Sequence, residues 1–331
     1  MQQLLTNLPI FVIVLLFVGA LVLLSKSADY LTNNAIKLSK ILKIPEIVIG
    51  ATIVSIGTTL PEFATSIAAI GSGSTDLALG NAFGSVITNC SLILGISTLY
   101  GSIPVSKKSR STIWTILLGL FLLILAILPA IIQGRALVLP RYAGIVLLVI
   151  LPIYLVSSFK RHAPPTKQDP EAVSKIDWRA IIGLISKILF SAALVTVSST
   201  ILVGTVQHAA TSFHISEAII SGTVVALGTS LPELSTSIAA AKKGFGGLAI
   251  GNLLGASVMN IFLVLSTTIT FTPGQLIMPS LLLKLHLPLM LLIFGYLIVC
   301  VYNSKKYELT KKEGIGFLMI YSAYLLVSLL N

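Results

Sequence analysis

Charged residues are scarce in this chain of 331 residues. Asp, Glu, Lys and Arg make up 10% of it, whereas 55% of its residues are hydrophobic, and the mean hydropathy is +1.00. Soluble domains carry about 25% charged residues. The composition therefore excludes an ordinary soluble globular protein and indicates an integral membrane protein.

Cysteine and histidine are also rare, with 2 and 4 copies. Cys90 and Cys300 both lie in apolar runs, where they form neither a disulfide pattern nor a metal-binding motif. The hydrolase motifs HExxH and GxSxG do not occur in the sequence, which disfavours an intramembrane enzyme. The net charge of +11 comes from basic residues in short loops between apolar runs. Membrane topology explains these residues better than binding of nucleic acid does.

Ten apolar runs have about the length, roughly 20 residues, that a helix needs to cross a bilayer. The sequence therefore predicts an all-α integral membrane protein with ten transmembrane helices. The predicted spans are 8–28, 44–70, 77–99, 112–133, 140–158, 180–206, 216–241, 247–270, 278–302 and 313–330. Residues 159–179 form the only long polar stretch, which we interpret as a linker too short to hold a folded domain.

Two parts of the chain are copies of each other. Residues 50–69 and 221–240 are identical at 12 of 20 positions when they are aligned at an offset of 171 residues. The match centres on the hexapeptides GTTLPE, Gly57 to Glu62, and GTSLPE, Gly228 to Glu233. Such internal similarity indicates two structurally matching halves. Polar residues further along repeat at the same offset: Asn81 with Asn252, and Asn89 with Asn260.

Lysine and arginine are concentrated in the loops that follow the odd-numbered spans. By the positive-inside rule, those loops and the linker are cytoplasmic and both termini are extracellular. Each half contains five spans, so the second half enters the membrane from the opposite side. We therefore expect two inverted five-helix repeats, 1–158 and 180–331, an arrangement found in many alternating-access carriers. Asp29, near the predicted end of helix 1, is interpreted as interfacial, either paired or snorkelling.

Each hexapeptide places a carboxylate, Glu62 or Glu233, inside a membrane span. A charge there costs roughly 2.5–3.5 kcal/mol on insertion scales and usually marks a functional site. Because Pro61 and Pro232 cannot donate a backbone hydrogen bond, we expect helices 2 and 7 to break at these positions. The breaks would free backbone carbonyls near Ser55–Ile56 and Ala226–Leu227 as cation ligands.

The spacing of the polar residues indicates that they converge on the carboxylates. Residues four apart share one face of a helix, as Thr58 with Glu62, Thr229 with Glu233, and Ser85 with Asn89 do. Asn260 of helix 8 is expected to face Glu233. Asn81 and Asn252 follow glycines and are read equally well as helix-break caps. All candidate ligands carry oxygen, which favours a hard cation such as Ca²⁺ or Na⁺ over zinc or copper.

The two hexapeptides, together with GN-x-x-GS-x-x-x-N in the first half and GN-x-x-G-x-x-x-x-N in the second, resemble the α-repeats of the cation/calcium exchanger superfamily. The prokaryotic sodium/calcium exchangers are the most similar members. The resemblance covers both halves, with α-repeats near 44–99 and 216–270. It implies that calcium is bound by Glu62, Glu233, Thr58 and Thr229, and that sodium sites involve Ser55, Ser85, Asn89, Ala226 and Asn260. We add the adjacent hydroxyls of Thr59 and Ser230 to this candidate set.

The resemblance further implies potassium independence, because potassium-dependent relatives typically carry aspartate at the position of Asn260. It also implies that helices 1 and 6 slide across the other eight. One position departs from the family pattern: Ala256 stands where the second repeat usually has serine, which puts a three-for-one sodium stoichiometry in doubt. Ser257, one residue further, is about 100° away around a helix.

We accordingly expect a secondary antiporter in the cell membrane that exchanges Na⁺ for Ca²⁺ by alternating access. A H⁺/Ca²⁺ antiporter would use the same carboxylates and remains the alternative. A cation channel is less consistent with inverted repeats and broken helices. We expect no enzymatic activity, no cofactor and no nucleic-acid partner, and we expect the protein to act as a monomer.

Overall fold

The computed structural model of the protein describes residues 9–71, 73–133, 137–160, 178–212, 226–303 and 307–330. Within these ranges the chain forms ten helices in the order expected. Most of the linker 159–179, the first residues of the second α-repeat and both chain ends fall outside the described residues. The helices are α1 (Ile10–Leu42), α2 (Glu46–Gly71), α3 (Thr75–Tyr100), α4 (Lys107–Ile132), α5 (Arg141–Lys160), α6 (Trp178–Ser212), α7 (Ala226–Thr229 and Leu231–Lys242), α8 (Gly246–Phe271), α9 (Leu282–Asn303) and α10 (Lys311–Leu330).

Eight of these helices are long and apolar enough to cross a membrane; the other two are the interrupted α7 and the 20-residue α10. The helices form an inner and an outer layer. In α8, 94% of the most apolar 18-residue window is buried inside the protein, against 28% in α1 and in α6. The inner layer consists of α2, α3, α7 and α8, which pack against one another. The outer helices turn their large apolar side chains outward, as a lipid environment requires.

The prediction for helix 1 was too short. A span of 8–28 was expected, but α1 continues as one helix to Leu42. Its antiparallel neighbour α6 has 35 residues, and the two pack along each other as an outer pair. The polar residues after position 28 are compatible with a helix because the chain there lies against α6 and α7 rather than against lipid.

Asp29 consequently lies in the middle of α1 and not near its end. Its carboxylate accepts an ion pair from Lys243, which follows α7, at 2.7 Å. The same ammonium group donates to the backbone carbonyl of Asp29 at 3.3 Å and to Asn33 Oδ1 at 3.2 Å. Of the expected alternatives, the paired one is confirmed, and the pair joins the outer helix α1 to the inner helix α7.

The predicted breaks at the two prolines differ between the halves. Helix α2 continues through Pro61, and its irregularity is a π-helical segment upstream, Gly50–Val54. The prediction of a break at Pro61 was therefore wrong, because the helix Ser55–Gly71 accommodates the proline without interruption. Helix α7 does break, at Ser230, and its second piece carries Pro232 within its first turn. A proline in the first helical turn loses no hydrogen bond, because that N–H has no partner within the helix.

Two short antiparallel strand pairs connect the halves. Strand β1 (Ile103–Pro104), which follows α3, pairs with β4 (Glu308–Leu309), which follows α9. Strand β2 (Val138–Leu139), which follows α4, pairs with β3 (Leu276–Ile277), which follows α8. Each pair thus joins the loop after the third helix of one half to the loop after the fourth helix of the other.

The two pairs lie at opposite ends of α4, because β1 precedes that helix and β2 follows it. The rotation that superimposes one half on the other therefore also exchanges the two membrane faces. The fold is two inverted five-helix repeats, as the sequence predicted.

Glycines of both helices let α8 approach α2 closely. A Cβ atom added at Gly255 would lie 2.5 Å from Ala51 Cα, and one added at Gly50 would lie 2.5 Å from the Leu248 carbonyl oxygen. Gly251 is equally close to the backbone of Ile47. Among the described residues, nothing lies within 4 Å of a Cβ added at Gly295, in the middle of α9.

This contrast gives a paired prediction for stability. We expect Gly255→Ala to destabilise the protein by roughly 1–3 kcal/mol, the usual cost of overpacking. Gly295→Ala should leave stability unchanged or slightly increased, because the site is open and alanine is the better helix former. The thermal midpoint of detergent-solubilised protein measures both. Equal midpoints for the two variants would show that the α2–α8 crossing is not tight.

The topology is testable by labelling of single cysteines in intact cells. Cysteines that replace the exposed residues Lys107 and Lys312 should react only when a reagent reaches the cytoplasm. A cysteine that replaces the exposed Ser74 should react with an impermeant reagent from outside. The unchanged chain is the control, because Cys90 and Cys300 are buried. The reverse labelling pattern would overturn the predicted orientation.

Candidate functional site

The two carboxylates of the duplicated hexapeptides meet in the inner layer. Glu62 of α2 and Glu233 of α7 are both 0% exposed, and they are close enough for their charges to interact. Two like charges in a buried site repel each other and each loses its hydration, which costs several kcal/mol per ion without compensation. The arrangement therefore needs a positively charged occupant or protons.

Two hydroxyl groups of α2 lie beside Glu233. Thr58 and Thr59 are both near enough to interact with the Glu233 carboxylate, although neither meets the geometry of a hydrogen bond to it. The Thr58 hydroxyl is 3.2 Å from Asn252 Oδ1 and 3.4 Å from the Ser55 carbonyl oxygen. Thr58 thus connects α2 of the first half with α8 of the second.

Matching asparagines brace the carboxylate helices in both halves. Asn81 of α3 donates to the backbone carbonyl of Glu62 at 3.3 Å and to the Ser66 hydroxyl at 3.4 Å. Asn252 of α8 donates to the hydroxyls of Thr236 at 2.9 Å and Ser237 at 3.3 Å. The bonds to Ser66 and Ser237 are counterparts under the internal repeat. These asparagines bridge helices; neither caps a helix end.

Several buried polar atoms of the inner layer, those of the two carboxylates among them, have no hydrogen-bond partner among the described residues. Both oxygens of each glutamate belong to this set. Folded proteins satisfy the great majority of buried polar side-chain atoms, so a cluster of exceptions calls for an explanation. Side-chain oxygens that accept no hydrogen bond are free to coordinate a cation. The remaining members in this set of candidate ligands are Thr59, Ser85, Asn89, Ser230 and Asn260.

The other candidates are placed differently. Ser55 is buried, and its hydroxyl donates to the Thr52 carbonyl of its own helix at 3.1 Å, so it is already engaged. Thr229 lines the cavities next to the site and lies just before the break in α7. Ala226 begins the first piece of α7. The contacts of the structure therefore connect Glu62, Glu233 and the two threonines of α2 directly.

A feature that the sequence analysis missed marks the two duplicated asparagines. Asn89 begins a π-helical segment in α3, Asn89–Ile93, and Asn260 begins one in α8, Asn260–Leu265. Isolated π turns occur frequently at functional sites. The signal available in the sequence was the repeat of the asparagine itself, since the composition of neither segment distinguishes π from α.

The second half lacks one hydroxyl at the site. Ser85 of α3 is buried with a free hydroxyl oxygen, whereas its counterpart Ala256 of α8 is buried with a methyl group. Ser257 does not replace it, because its hydroxyl donates to the Leu253 carbonyl at 2.9 Å and lies 3.2 Å from Cys90 Sγ.

Two cavities reach the site from the side of Thr65. The larger, of about 490 Å³, lies between α3, α9 and α10 and extends from Asp76 and His286 to Ser85 and Thr229. The smaller, of about 180 Å³, lies between α2, α6 and α7 and also ends at Thr229. Thr65 and Thr229 line both, so the two passages converge where α7 is broken.

Chemically, the site offers two carboxylates surrounded by hydroxyl and amide oxygens. The described residues contain no group of three or more His, Cys, Asp or Glu side chains that could hold a metal ion. The donor set is thus unlike that of a resident zinc or copper centre and resembles sites for hard cations. Only two formal charges are available, so a bound divalent cation would be neutralised without excess.

The comparisons with known proteins agree with this chemistry. The family model for sodium/calcium exchanger protein matches residues 12–160 and 184–330. The inner membrane protein YrbG of Escherichia coli is 35% identical, over 79% of this chain and 80% of that protein. The sodium/calcium exchanger MaX1 of Methanosarcina acetivorans is 29% identical, over 96% of this chain and 97% of that one.

A solved structure shows the same fold. The sodium-calcium exchanger NCX_Mj, soaked with 10 mM Na⁺ and zero Ca²⁺, superimposes with a TM-score of 0.81 at 27% identity and covers 96% of this chain and 99% of its own. The duplicated glutamate motifs, the ten-helix inverted repeat and the family match in both halves lead to one conclusion: this chain is a membrane transporter that belongs to the sodium/calcium exchanger protein family.

Proposed function

We propose that this protein exchanges Na⁺ for Ca²⁺ across the cell membrane by alternating access. Both ions would bind at Glu62 and Glu233 in the inner layer. The observation that carries the proposal is the pair of fully buried, interacting carboxylates whose oxygens have no hydrogen-bond partner among the described residues. The names of MaX1 and NCX_Mj, both sodium/calcium exchangers, support it.

Competition for the same two charges would couple the ions. One Ca²⁺ neutralises both carboxylates, and so do two Na⁺, but one Ca²⁺ together with sodium would place excess positive charge in a buried site. Binding of Ca²⁺ and binding of Na⁺ therefore exclude each other. Thr58 and Thr59 would add neutral oxygens for calcium, while Ser85, Asn89 and Asn260 would serve sodium.

The inverted repeats provide the basis for alternating access. In this structure a cavity approaches the site along α3, past Gly80 and Gly84, and α2 packs tightly against Gly251 and Gly255 of α8. We infer that the protein opens the α3 side and the α8 side in turn. By the predicted topology the cavities would face the outside of the cell. Both termini would be extracellular, and the protein would act as a monomer.

Ion fluxes in proteoliposomes test the exchange directly. We expect ⁴⁵Ca²⁺ uptake when the vesicles are loaded with Na⁺ and diluted into sodium-free medium, and no acceleration by an imposed K⁺ or H⁺ gradient alone. Two protons would balance the same carboxylates as two Na⁺. Uptake driven by a proton gradient in the absence of Na⁺ would therefore contradict the proposal and establish the H⁺/Ca²⁺ alternative.

The same assay tests the two carboxylates. Glu62→Gln and Glu233→Gln should each abolish sodium-driven uptake, because a neutral amide cannot balance a divalent ion. Glu46→Gln is the matched control: it makes the same chemical change near the start of α2, where the side chain is only partly buried. Normal uptake by either buried-site variant, with folding verified by size-exclusion chromatography, would remove the site from consideration.

Ala256 sets a limit on the number of sodium ions. A third Na⁺ would add net positive charge and would need a complete shell of neutral oxygens. Ser85 can contribute one such oxygen in the first half. Ala256 cannot contribute one in the second, and Ser257 is engaged with Leu253.

We therefore expect Ala256→Ser to increase the Hill coefficient for Na⁺ and the voltage dependence of exchange, with little effect on calcium affinity. Ser257→Ala is the control and should leave sodium dependence unchanged. The measurement is sodium-dependent calcium efflux at two clamped membrane potentials. A wild-type protein that already shows steep sodium dependence and strong voltage sensitivity would contradict this role of Ala256.

A further inference from the structure

A histidine that takes no part in the glutamate site lies in the wall of the larger cavity. His286, near the start of α9, lines this cavity together with Asp76 of α3 and Tyr324 of α10. The histidine is 7% exposed. The cavity of about 490 Å³ continues from these side chains to Ser85 and Thr229, so an ion that enters by this route passes the imidazole ring.

Both ring nitrogens of His286 have a hydrogen-bond partner. Nδ1 lies 3.4 Å from the Leu281 carbonyl oxygen, which can only accept, so Nδ1 carries a hydrogen. Nε2 lies 3.2 Å from the Tyr324 hydroxyl group. In the neutral imidazole Nε2 is then the acceptor, and the Tyr324 hydroxyl donates to it. The two rings meet edge to face, with their centroids 5.6 Å apart.

The same contacts also suit a protonated ring. An imidazolium donates from both nitrogens, and a tyrosine hydroxyl can accept as well as donate. Only the hydroxyl hydrogen of Tyr324 has to rotate, while the bond to Leu281 is kept. Histidine is the side chain whose unperturbed charge changes between about pH 5 and 8. Protonation of His286 therefore changes the charge of the cavity wall and leaves its packing in place.

The charge of the cavity depends on two side chains. Among the described residues that line it, Asp76 alone carries a formal charge when His286 is neutral. The titratable groups on α10 are Tyr324 and its neighbour Tyr321, whose ring centroids are 5.8 Å apart. Lys284, on the same turn as His286, is exposed and is not among the residues that line the cavity. A negative charge in a cleft with apolar walls concentrates cations, and a protonated His286 would offset it.

We propose that His286 binds a proton from the aqueous side and thereby controls the entry of cations to the glutamate site. With His286 neutral, Asp76 attracts Na⁺ and Ca²⁺ into the cavity. With His286 protonated, the imidazolium offsets the charge of Asp76 and the attraction is lost. By the predicted topology the cavity opens to the outside, so His286 responds to external pH. This role rests on the proposed cation exchange, which His286 regulates without being an ion ligand.

Sodium-driven ⁴⁵Ca²⁺ uptake tests this role when the pH is equal on both sides of the vesicle membrane, so that no proton gradient exists. Lowering the pH from about 8 to about 5.5 spans the ordinary pKa of histidine. The KM of the unchanged protein for Ca²⁺ should rise roughly tenfold, because a divalent ion doubles the effect of each unit charge. His286→Gln keeps a donor and an acceptor but stays neutral. It should match the unchanged protein at the higher pH and lose most of the rise.

His208→Gln with His214→Gln is the matched control, because the sequence places both histidines near or just after the end of α6, on the same predicted membrane face. This double variant should keep the full rise in KM. Protonation of Glu62 or Glu233 would act in every variant alike, so the difference between variants isolates His286. Retention of the rise in His286→Gln, or its loss in the control, would overturn the proposal.

Asp76→Asn gives a second test that does not depend on the folding of the His286 variant. It removes from the cavity the unit charge that a protonated His286 offsets. Its KM for Ca²⁺ should therefore be raised roughly tenfold already at the higher pH, and an unchanged KM would show that the charge of the cavity does not control entry. If the unchanged protein shows no sodium-driven uptake at the higher pH, the exchange function itself is contradicted, and with it this role of His286.

Discussion

The repulsion between Glu62 and Glu233 constrains the rest of this structure. Neither carboxylate is exposed, and the oxygens of both lack hydrogen-bond donors among the described residues. Removing an ion from water costs several kcal/mol in real proteins unless an opposite charge or hydrogen bonds compensate. The fold brings the two together through α2 and α7, one from each repeat, so the electrostatic demand exists only when both halves are assembled. A site made in this way belongs to neither half alone.

Polar residues of the inner layer are repeated in the two halves, with some exceptions. Asn81 and Asn252 brace corresponding serines in the two halves, and Asn89 and Asn260 each begin a π-helical turn. The symmetry is incomplete at Ala256, whose counterpart in the first half is Ser85. Backbone contact of α2 with Gly255 packs the inner layer tightly on the side of α8.

Much of the fold could be predicted from the sequence, because apolar length and loop charge are strong signals in a membrane protein. The ten helices, the inversion and the meeting of Glu62 with Glu233 followed from these signals and from the repeat. The sequence was a poor guide where packing overrides local pattern. Helix α1 extends to Leu42 because α6 and α7 cover its polar half, and no window of hydropathy records that neighbour. Pro61 suggested a break, yet α2 continues through it, and the irregular part of the helix lies upstream at Gly50–Val54. For Ser55, spacing alone could not show that its own helix already accepts its hydroxyl proton.

The two short strand pairs have a mechanical consequence. On one membrane face β1 pairs with β4, which links the α3–α4 loop to the α9–α10 loop. On the other face β2 pairs with β3, which links the α4–α5 loop to the α8–α9 loop. The two strand pairs link the repeats on both membrane faces. The halves therefore cannot move apart as rigid bodies without breaking backbone hydrogen bonds on both faces. Neither strand pair includes a loop next to α1, and the described ends of α6 carry no strand. A displacement that leaves both strand pairs intact must therefore keep these four loops in place, and α1 and α6 are among the helices that the pairs do not hold.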